Sequence, residues 1–162
     1  MRQIRNSVFE TNSSSTHSVS IRNGESRIDN LYVESDNKVH VTFGEFGWEV
    51  EDYWDAGTKL SYLVTMIAEF EHLDIWCSSP WDEDTLNETL MDSEDFRTLN
   101  ATISERCDCN GIWVDRSEGY IDHQSCEYYN CIQDFIDDWR IDSVEDFIFN
   151  VNVILHTDND NH

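Results

Sequence analysis

Residues 11–18 combine small hydroxyl and amide side chains with a single histidine, in the order Thr-Asn-Ser-Ser-Ser-Thr-His-Ser. Ser and Thr hydroxyls, together with the backbone N–H groups of a turn, can hold a phosphate or a carboxylate. A serine beside a basic imidazole can also act as a nucleophile. The candidates for these roles are Ser14, Ser15 and His17. The alternative is a polar loop whose side chains cap their own backbone before a strand begins at Ser18.

A second histidine, His123, lies in the run Gly-Tyr-Ile-Asp-His-Gln-Ser at positions 119–125. Its imidazole is a candidate general base, because histidine changes its charge near neutral pH. Asp122 precedes it, but adjacent residues of a strand point in opposite directions, so Asp122 need not orient the ring. The alternative is a turn that leads into a helix over 124–139, with Asp122 or Ser125 as the cap.

Two sets of side chains are candidate metal ligands. Cys107 and Cys109 form a C-x-C pair, and Cys126 follows later in the sequence. Zinc needs four soft ligands, and C-x-C is a weaker signal than the usual C-x₂-C pair. Near the C-terminus, Asp158 and Asp160 alternate with asparagines, and such oxygens suit a hard divalent cation. The alternatives are thiols that pack in the core and a solvated terminus.

The 162 residues contain 34 Asp and Glu against 10 Lys and Arg, so the net charge is -24 at pH 7. Residues 1–30 hold four basic and three acidic side chains, a net of +1, and the remaining residues carry -25. This charge argues against direct nucleic-acid binding and against an anionic membrane surface, because both require basic side chains. It favours a basic protein as the partner, since opposite potentials accelerate association and add specificity. The alternative is an acidic surface that only keeps the protein soluble.

The acids expected to meet a basic partner fall between residues 45 and 96 and between residues 117 and 146. Residues 60–96 alone contain ten acids and no Lys or Arg. The predicted binding residues are Glu49, Glu51, Asp52, Asp55, Asp82, Glu83, Asp84, Glu88, Asp92, Glu94, Asp95, Asp134, Asp137 and Asp138.

The sequence favours a cytoplasmic location. The first residues are basic but lack the apolar run of a signal peptide, and no apolar run approaches the ~18 residues that a membrane span needs. Five cysteines, an odd number, argue against a disulfide framework. In the cytoplasm the three N-x-S/T sequons, at Asn12, Asn87 and Asn100, are chance matches.

Hydrophobic spacing predicts the elements that position these residues. Strands are expected over 18–22, 31–34, 38–43, 111–114 and 151–156. Helices are expected over 58–73, once or twice within 82–106, over 124–139 and over 143–149. The expected caps are Thr58, Thr85 with Glu88, and Ser143 with Asp146. The order of elements predicts a single α+β domain, with a mostly antiparallel sheet packed against about three to four helices.

The opening Ile-Arg-Asn-Ser-Val-Phe-Glu-Thr-Asn-Ser-Ser-Ser-Thr-His-Ser, at 4–18, resembles the start of a family of small, poorly characterised proteins of bacteriophages and bacterial genomes. The similarity extends to 46–49, 59–62, 121–125, and 147–150 with 157–161. The resemblance implies a phage or mobile-element origin, and it treats the Ser/His, Asp-His-Gln-Ser and Asp/Asn segments as family features. It carries no activity, and the Cys-rich stretch at 107–131 does not match the family pattern.

Charge and resemblance together favour a phage-type accessory protein that acts in the cytoplasm of a bacterial host. It would inhibit a basic nucleic-acid-binding protein, such as a CRISPR-Cas or restriction nuclease, through an acidic surface that mimics nucleic acid. The alternative is a protein that binds a nucleotide or phosphate ligand, or a hydrolase, in which the Ser-rich segment, His17, His123 and the Asp/Asn segment form one site. A third possibility is an inert protein whose acidity serves only its solubility.

Overall fold

The computed structural model describes residues 17–22, 27–47, 50–75, 82–121 and 129–157. A three-stranded antiparallel sheet joins the first and last of these segments. Its central strand is β7 (Val153–Thr157), which is flanked by β1 (Ser18–Ile21) and β4 (Glu51–Tyr53). The strands predicted over 18–22 and 151–156 are therefore confirmed, whereas β4 was not predicted.

The two faces of this sheet have different surroundings. Val19, Leu155 and Tyr53 form one row across the three strands, and their side chains pack in or against the core. Side chains alternate along a strand, so the next row points away from the core. That outer row consists of Ser18, His156 and Asp52.

Two further strand pairs run parallel. Strand β2 (Val39–Thr42) pairs with β5 (Ile112–Asp115), and β3 (Glu45–Phe46) pairs with β6 (Tyr120–Ile121). The prediction of a mostly antiparallel sheet is therefore wrong. Alternating hydrophobicity identifies a half-buried strand but is the same for either direction. The direction depends on the connection, and β2 is joined to β5 by a crossover that contains three helices.

Five helices lie in the described part of the chain, more than the three to four expected, and the α+β class is confirmed. Their bounds are α1 (Ala56–Phe70), α2 (Glu83–Asp92), α3 (Glu94–Cys107), α4 (Ile132–Asp138) and α5 (Val144–Phe149). The helix predicted over 124–139 begins only at Ile132: residues 129–131 are not helical, since Cys131 is extended, and residues 124–128 lie outside the described residues.

The caps of α1 and α2 are aspartates rather than threonines. Asp55 accepts a hydrogen bond from the backbone N–H of Thr58 at 2.7 Å, and Asp82 accepts one from Thr85 at 3.0 Å. Thr58 and Thr85 are thus donors in the first turn, and predicting them as caps was wrong. An aspartate three residues earlier already satisfies these N–H groups. The cap predicted at Ser143 is confirmed, because its hydroxyl accepts from Asp146.

The predicted strand over 31–34 is absent from the structure, where this described segment is irregular. Leu31 and Val33 still pack against the core, so their alternation reflects burial without strand pairing. The backbone instead closes a turn in which the N–H of Glu34 donates to the carbonyl of Lys38 at 2.8 Å.

Two asparagine side chains cover the edge of β5 that faces away from β2. The Asn87 amide accepts from the Val114 N–H and donates to its carbonyl, both at 2.9 Å. Asn100 accepts from the N–H of Ile112 at 2.7 Å. The helices α2 and α3 therefore provide the hydrogen bonds that another strand would provide. The Asn87 sequon is buried in this role, as expected of a chance match.

Candidate functional site

Helix α2 carries a row of exposed carboxylates. Asp84, Glu88 and Asp92 are spaced four residues apart, so they lie on one side of the helix, about 6 Å apart along its axis. Within the described residues, none of the three forms an ion pair. Like charges at this spacing destabilise a helix by roughly 0.2–0.5 kcal/mol per pair. Asp84 lies in the first turn, where a negative charge favours the helix dipole, but the Glu88 and Asp92 side chains have no hydrogen bond or ion pair among the described residues.

Other predicted binding acids accept hydrogen bonds from the backbone. Asp55 and Asp82 cap their helices, and the hydrogen bond from the Thr85 N–H lowers the pKa of Asp82. Glu83 accepts from the N–H of Arg116 at 3.2 Å. These three carboxylates have local structural roles, which separates them from the exposed row on α2.

Asp95 links the acidic helices to one another. Its carboxylate accepts a hydrogen bond from the N–H of Ile132 at 3.0 Å, so a residue of α3 caps the beginning of α4. Burial raises the pKa of Asp95, and the carboxylates of Glu71, Glu94 and Asp134 raise it further. The structure thus brings together acids of α3 and α4 that lie about 40 residues apart in the sequence.

Helix α4 adds three exposed carboxylates with local partners. Asp134 accepts from the N–H of Asn130 at 3.2 Å, and Asp137 accepts from the Gln133 amide at 2.7 Å. Asp138 accepts from a tyrosine hydroxyl at 3.0 Å. We call the exposed acids of α2, α3 and α4 the acidic helical surface, and its members are Asp84, Glu88, Asp92, Glu94, Asp134, Asp137 and Asp138.

Two predicted binding acids belong to the sheet instead. Glu51 accepts a hydrogen bond from the Tyr53 hydroxyl. Asp52 lies on the outer face, with its Oδ1 atom 2.7 Å from Nδ1 of His156. Glu49 lies outside the described residues.

The predicted catalytic residues are only partly described. His17 immediately precedes β1, is 9% exposed, and has Nδ1 3.2 Å from the hydroxyl oxygen of Tyr62. Ser14, Ser15 and His123 lie outside the described residues. Their roles, and that of His17, stay predictions.

The structure gives no support to the metal site. Among the described residues, no group of three or more His, Cys, Asp or Glu side chains is arranged to hold a metal ion. Cys107 and Cys109 are free thiols at the end of α3, and burial raises the pKa of the Cys107 thiol. Cys126, Asp158 and Asp160 lie outside the described residues, so zinc or another divalent cation stays untested.

Two members of these clusters were missed by sequence reasoning. Glu71 joins the acids around Asp95, although no spacing in the sequence relates the two. His156 was expected only as the last residue of a strand, and the strand register is what shows that it lies opposite both Ser18 and Asp52. The sequence of β7 does not alternate between apolar and polar residues, because Ile154 is apolar and buried although it lies on the same face as His156.

Comparisons with known proteins identify no relatives. No protein-family model, no curated protein and no solved structure matches the chain. In the described residues, no helix is both long enough and apolar enough to cross a membrane.

Proposed function

We propose that this protein is a phage-type accessory protein that binds a basic, nucleic-acid-binding host protein through the acidic helical surface. The row formed by Asp84, Glu88 and Asp92 supports this best, because its like charges repel one another and the Glu88 and Asp92 side chains have no partner among the described residues. The partner would be an enzyme with a cationic groove, such as a CRISPR-Cas or restriction nuclease. Occupying that groove would prevent nucleic acid from binding.

Electrostatics would act mainly on the rate and specificity of association. Within this surface of three helices, the α2 row presents negative charge at regular intervals, as a phosphate backbone does. Such a surface accelerates encounter with a basic groove and repels acidic competitors. The interaction is expected to weaken as salt screens the charges.

The test is displacement of labelled DNA or RNA from a panel of purified CRISPR-Cas and restriction nucleases at low salt. The wild-type protein should displace nucleic acid from at least one nuclease. The triple variant Asp84→Asn, Glu88→Gln, Asp92→Asn should require about tenfold more protein. Three exposed ion pairs at roughly 0.5 kcal/mol each account for that factor.

A matched control separates the row from the net charge. The triple variant Glu34→Gln, Glu45→Gln, Asp108→Asn removes the same number of charges from exposed positions outside the acidic helical surface. It should displace nucleic acid within about threefold of the wild type. Equal losses in both variants would assign the effect to net charge alone, and failure of the wild type against every nuclease would reject the proposal.

A second candidate function has one specific observation in its favour. His17 and Thr157 lie at the same end of the sheet. The Ser-rich segment immediately precedes His17 in the sequence, and the Asp/Asn segment immediately follows Thr157. Ile121, which precedes the Asp-His-Gln-Ser segment, pairs with Phe46, and the Phe46 ring contacts Tyr62, the partner of His17. This clustering supports a site for a phosphate or nucleotide ligand.

That second function is tested by calorimetry with inorganic phosphate and with ATP and Mg²⁺. We expect binding that disappears in the double variant Ser14→Ala, Ser15→Ala, because those hydroxyls would contact the phosphate. The absence of binding heat at millimolar ligand would reject this candidate and leave the acidic helical surface as the only proposal.

A further inference from the structure

The outer face of the antiparallel sheet aligns a serine, a histidine and an aspartate in one row. Ser18 on β1 and Asp52 on β4 both lie directly opposite His156 on β7. The side chains of His156 and Asp52 are 31% and 50% exposed. Directly opposite residues of an antiparallel pair have Cβ atoms about 4.5–5.5 Å apart. The three side chains are therefore neighbours on a partly exposed face of the sheet.

The hydrogen bond of His156 fixes how its ring can act. Nδ1 lies 2.7 Å from the Asp52 carboxylate, so this nitrogen carries the proton and donates it to Oδ1. In the neutral ring the lone pair is then on Nε2, on the side of the ring opposite to Asp52. Within the described part of the chain, neither Nε2 nor the Ser18 hydroxyl has another hydrogen-bond partner. An aspartate, an oriented imidazole and a nearby serine form the arrangement of serine hydrolases.

His40 provides an informative contrast. It is also partly exposed and bound to carboxylates, but Nε2 contacts Asp36 at 3.0 Å and Nδ1 contacts Asp115 at 2.9 Å. Both ring nitrogens are occupied, and the residue opposite His40 is Trp113. His40 therefore has neither a free basic nitrogen nor a serine to activate.

We propose that Ser18, His156 and Asp52 form a nucleophilic site that takes small esters with an apolar acyl group. Trp54, which directly follows β4 and is 57% exposed, would contact the acyl chain. Ser18 would be the nucleophile and His156 the general base, with Asp52 as a positioning residue. This site does not depend on the acidic helical surface.

The reaction balances without a cofactor. The Ser18 oxygen bonds to the ester carbonyl carbon, and its proton passes to Nε2 of His156. The bond from the carbonyl carbon to the alcohol oxygen breaks, and the alcohol leaves with that proton. Water then gives a proton to His156 and attacks the acyl-serine, which releases the carboxylic acid and returns the proton to Ser18.

The test is covalent labelling with a short-chain alkyl fluorophosphonate, with the labelled residue identified by peptide mass spectrometry. The Ser18 oxygen should bond to phosphorus and release fluoride. Ser20 is an internal control, because it lies on the same face but opposite Ile154 instead of a histidine. Labelling of Ser18 and not of Ser20 is expected. No label on Ser18, or equal label on both serines, would overturn the proposal.

Variants separate catalysis from structure. His156→Ala should reduce the labelling rate of Ser18 at least about a hundredfold, and added imidazole should restore part of it. Asp52→Asn should also reduce the rate, and Asp52→Glu should recover it, which a purely structural role does not predict. His40→Ala should label at the wild-type rate. Unchanged labelling in His156→Ala would reject the proposal, and thermal unfolding of each variant checks its fold.

Discussion

The ammonium group of Lys59 is buried in the core, where it donates to the backbone carbonyls of Asn150 and Val153 at 2.9 and 3.2 Å. Burial lowers its pKa to about 8, although nearby aspartates act in the opposite direction. In the unfolded chain the pKa returns to its ordinary value of 10.5. Between these values the unfolded chain keeps a proton that the native protein has lost. The free energy of unfolding therefore rises with pH in this window.

The variant Lys59→Met removes this dependence. Relative to the variant, the wild type should gain about 2 kcal/mol in the free energy of unfolding between pH 7 and pH 10. Urea denaturation of both proteins across this range measures the difference. The loss of the two hydrogen bonds changes the free energy of unfolding of the variant equally at every pH. The slope of this free energy against pH is therefore what distinguishes the two proteins. Parallel curves for the two proteins would contradict the burial of a charged amine.

The contribution of His40 to the free energy of unfolding falls with rising pH, in the opposite sense to that of Lys59. Hydrogen bonds with Asp36 and Asp115 raise its pKa, because both carboxylates favour the charged ring. Its contribution to stability is therefore complete below about pH 6.5, where histidine in the unfolded chain is also charged. That contribution is lost as the pH rises through the higher pKa of the folded state. Because these groups are partly exposed, the contribution should be below about 1 kcal/mol.

The variant His40→Gln tests this sign. The wild type should exceed the variant in the free energy of unfolding by more at pH 5.5 than at pH 8.5, as measured by urea denaturation. NMR titration of the His40 ring should show its midpoint falling in Asp36→Asn and in Asp115→Asn. A midpoint that neither substitution moves would show that the carboxylates do not hold the charged ring.

At the scale of single elements, α2 contains acids with two distinct roles. Asp82 caps the helix, and Asp84 belongs to the exposed row. Asp82→Ala should lower the free energy of unfolding by about 1 kcal/mol, because the Thr85 N–H loses its partner. Asp84→Ala should change it by no more than about 0.5 kcal/mol. Thermal unfolding measures both, and equal effects would contradict the division of roles.

The connection between α2 and β5 depends on Asn87. Its amide holds both backbone groups of Val114, so Asn87→Leu would leave a buried N–H and a buried carbonyl unsatisfied. The free energy of unfolding should fall by about 2–3 kcal/mol, measured by urea denaturation. Asn87→Asp keeps the acceptor for Val114 but sets a carboxylate oxygen against the carbonyls of Val114 and Glu83, so at neutral pH it should also be destabilising. A neutral effect of Asn87→Leu would mean that water replaces the amide.

Sequence patterns predicted elements whose signal is local. The helical spacing of Leu60, Leu63 and Ile67 identified α1, and the alternation of Val39 and Val41 identified β2. The direction of β2 was missed because it depends on a partner about 70 residues away. The strands β3, β4 and β6 have two or three residues each, too few for a periodic signal.

Residue type predicted the candidate sites only in outline. The acids of α2 were expected to be exposed, and they are, but Asp82 and Asp95 could not be distinguished from them. The difference is a backbone N–H at the right distance, and for Asp95 that N–H belongs to Ile132 in another helix. Likewise, the pairing of Asp52 with His156 exists only after the sheet has formed.

At the scale of the whole molecule, the charge of -24 destabilises the folded state but favours binding to a basic partner. Repulsion among the acids destabilises the compact state, and salt screens it. The melting temperature should rise between 20 and 500 mM NaCl, whereas binding to a basic nuclease should weaken over the same range. Thermal unfolding and nucleic-acid displacement measure the two effects. A melting temperature that falls with added NaCl would contradict the role of self-repulsion.

The central position of β7 has a consequence for synthesis. β7 is the last described strand to leave the ribosome, yet both β1 and β4 pair with it and not with each other. The nascent chain therefore cannot build this sheet strand by strand. Strands β1 and β4 keep unpaired backbone groups until residue 157 has left the ribosome. The sheet thus closes in one late step, and stalled or prematurely terminated chains are the ones most exposed to aggregation and proteolysis.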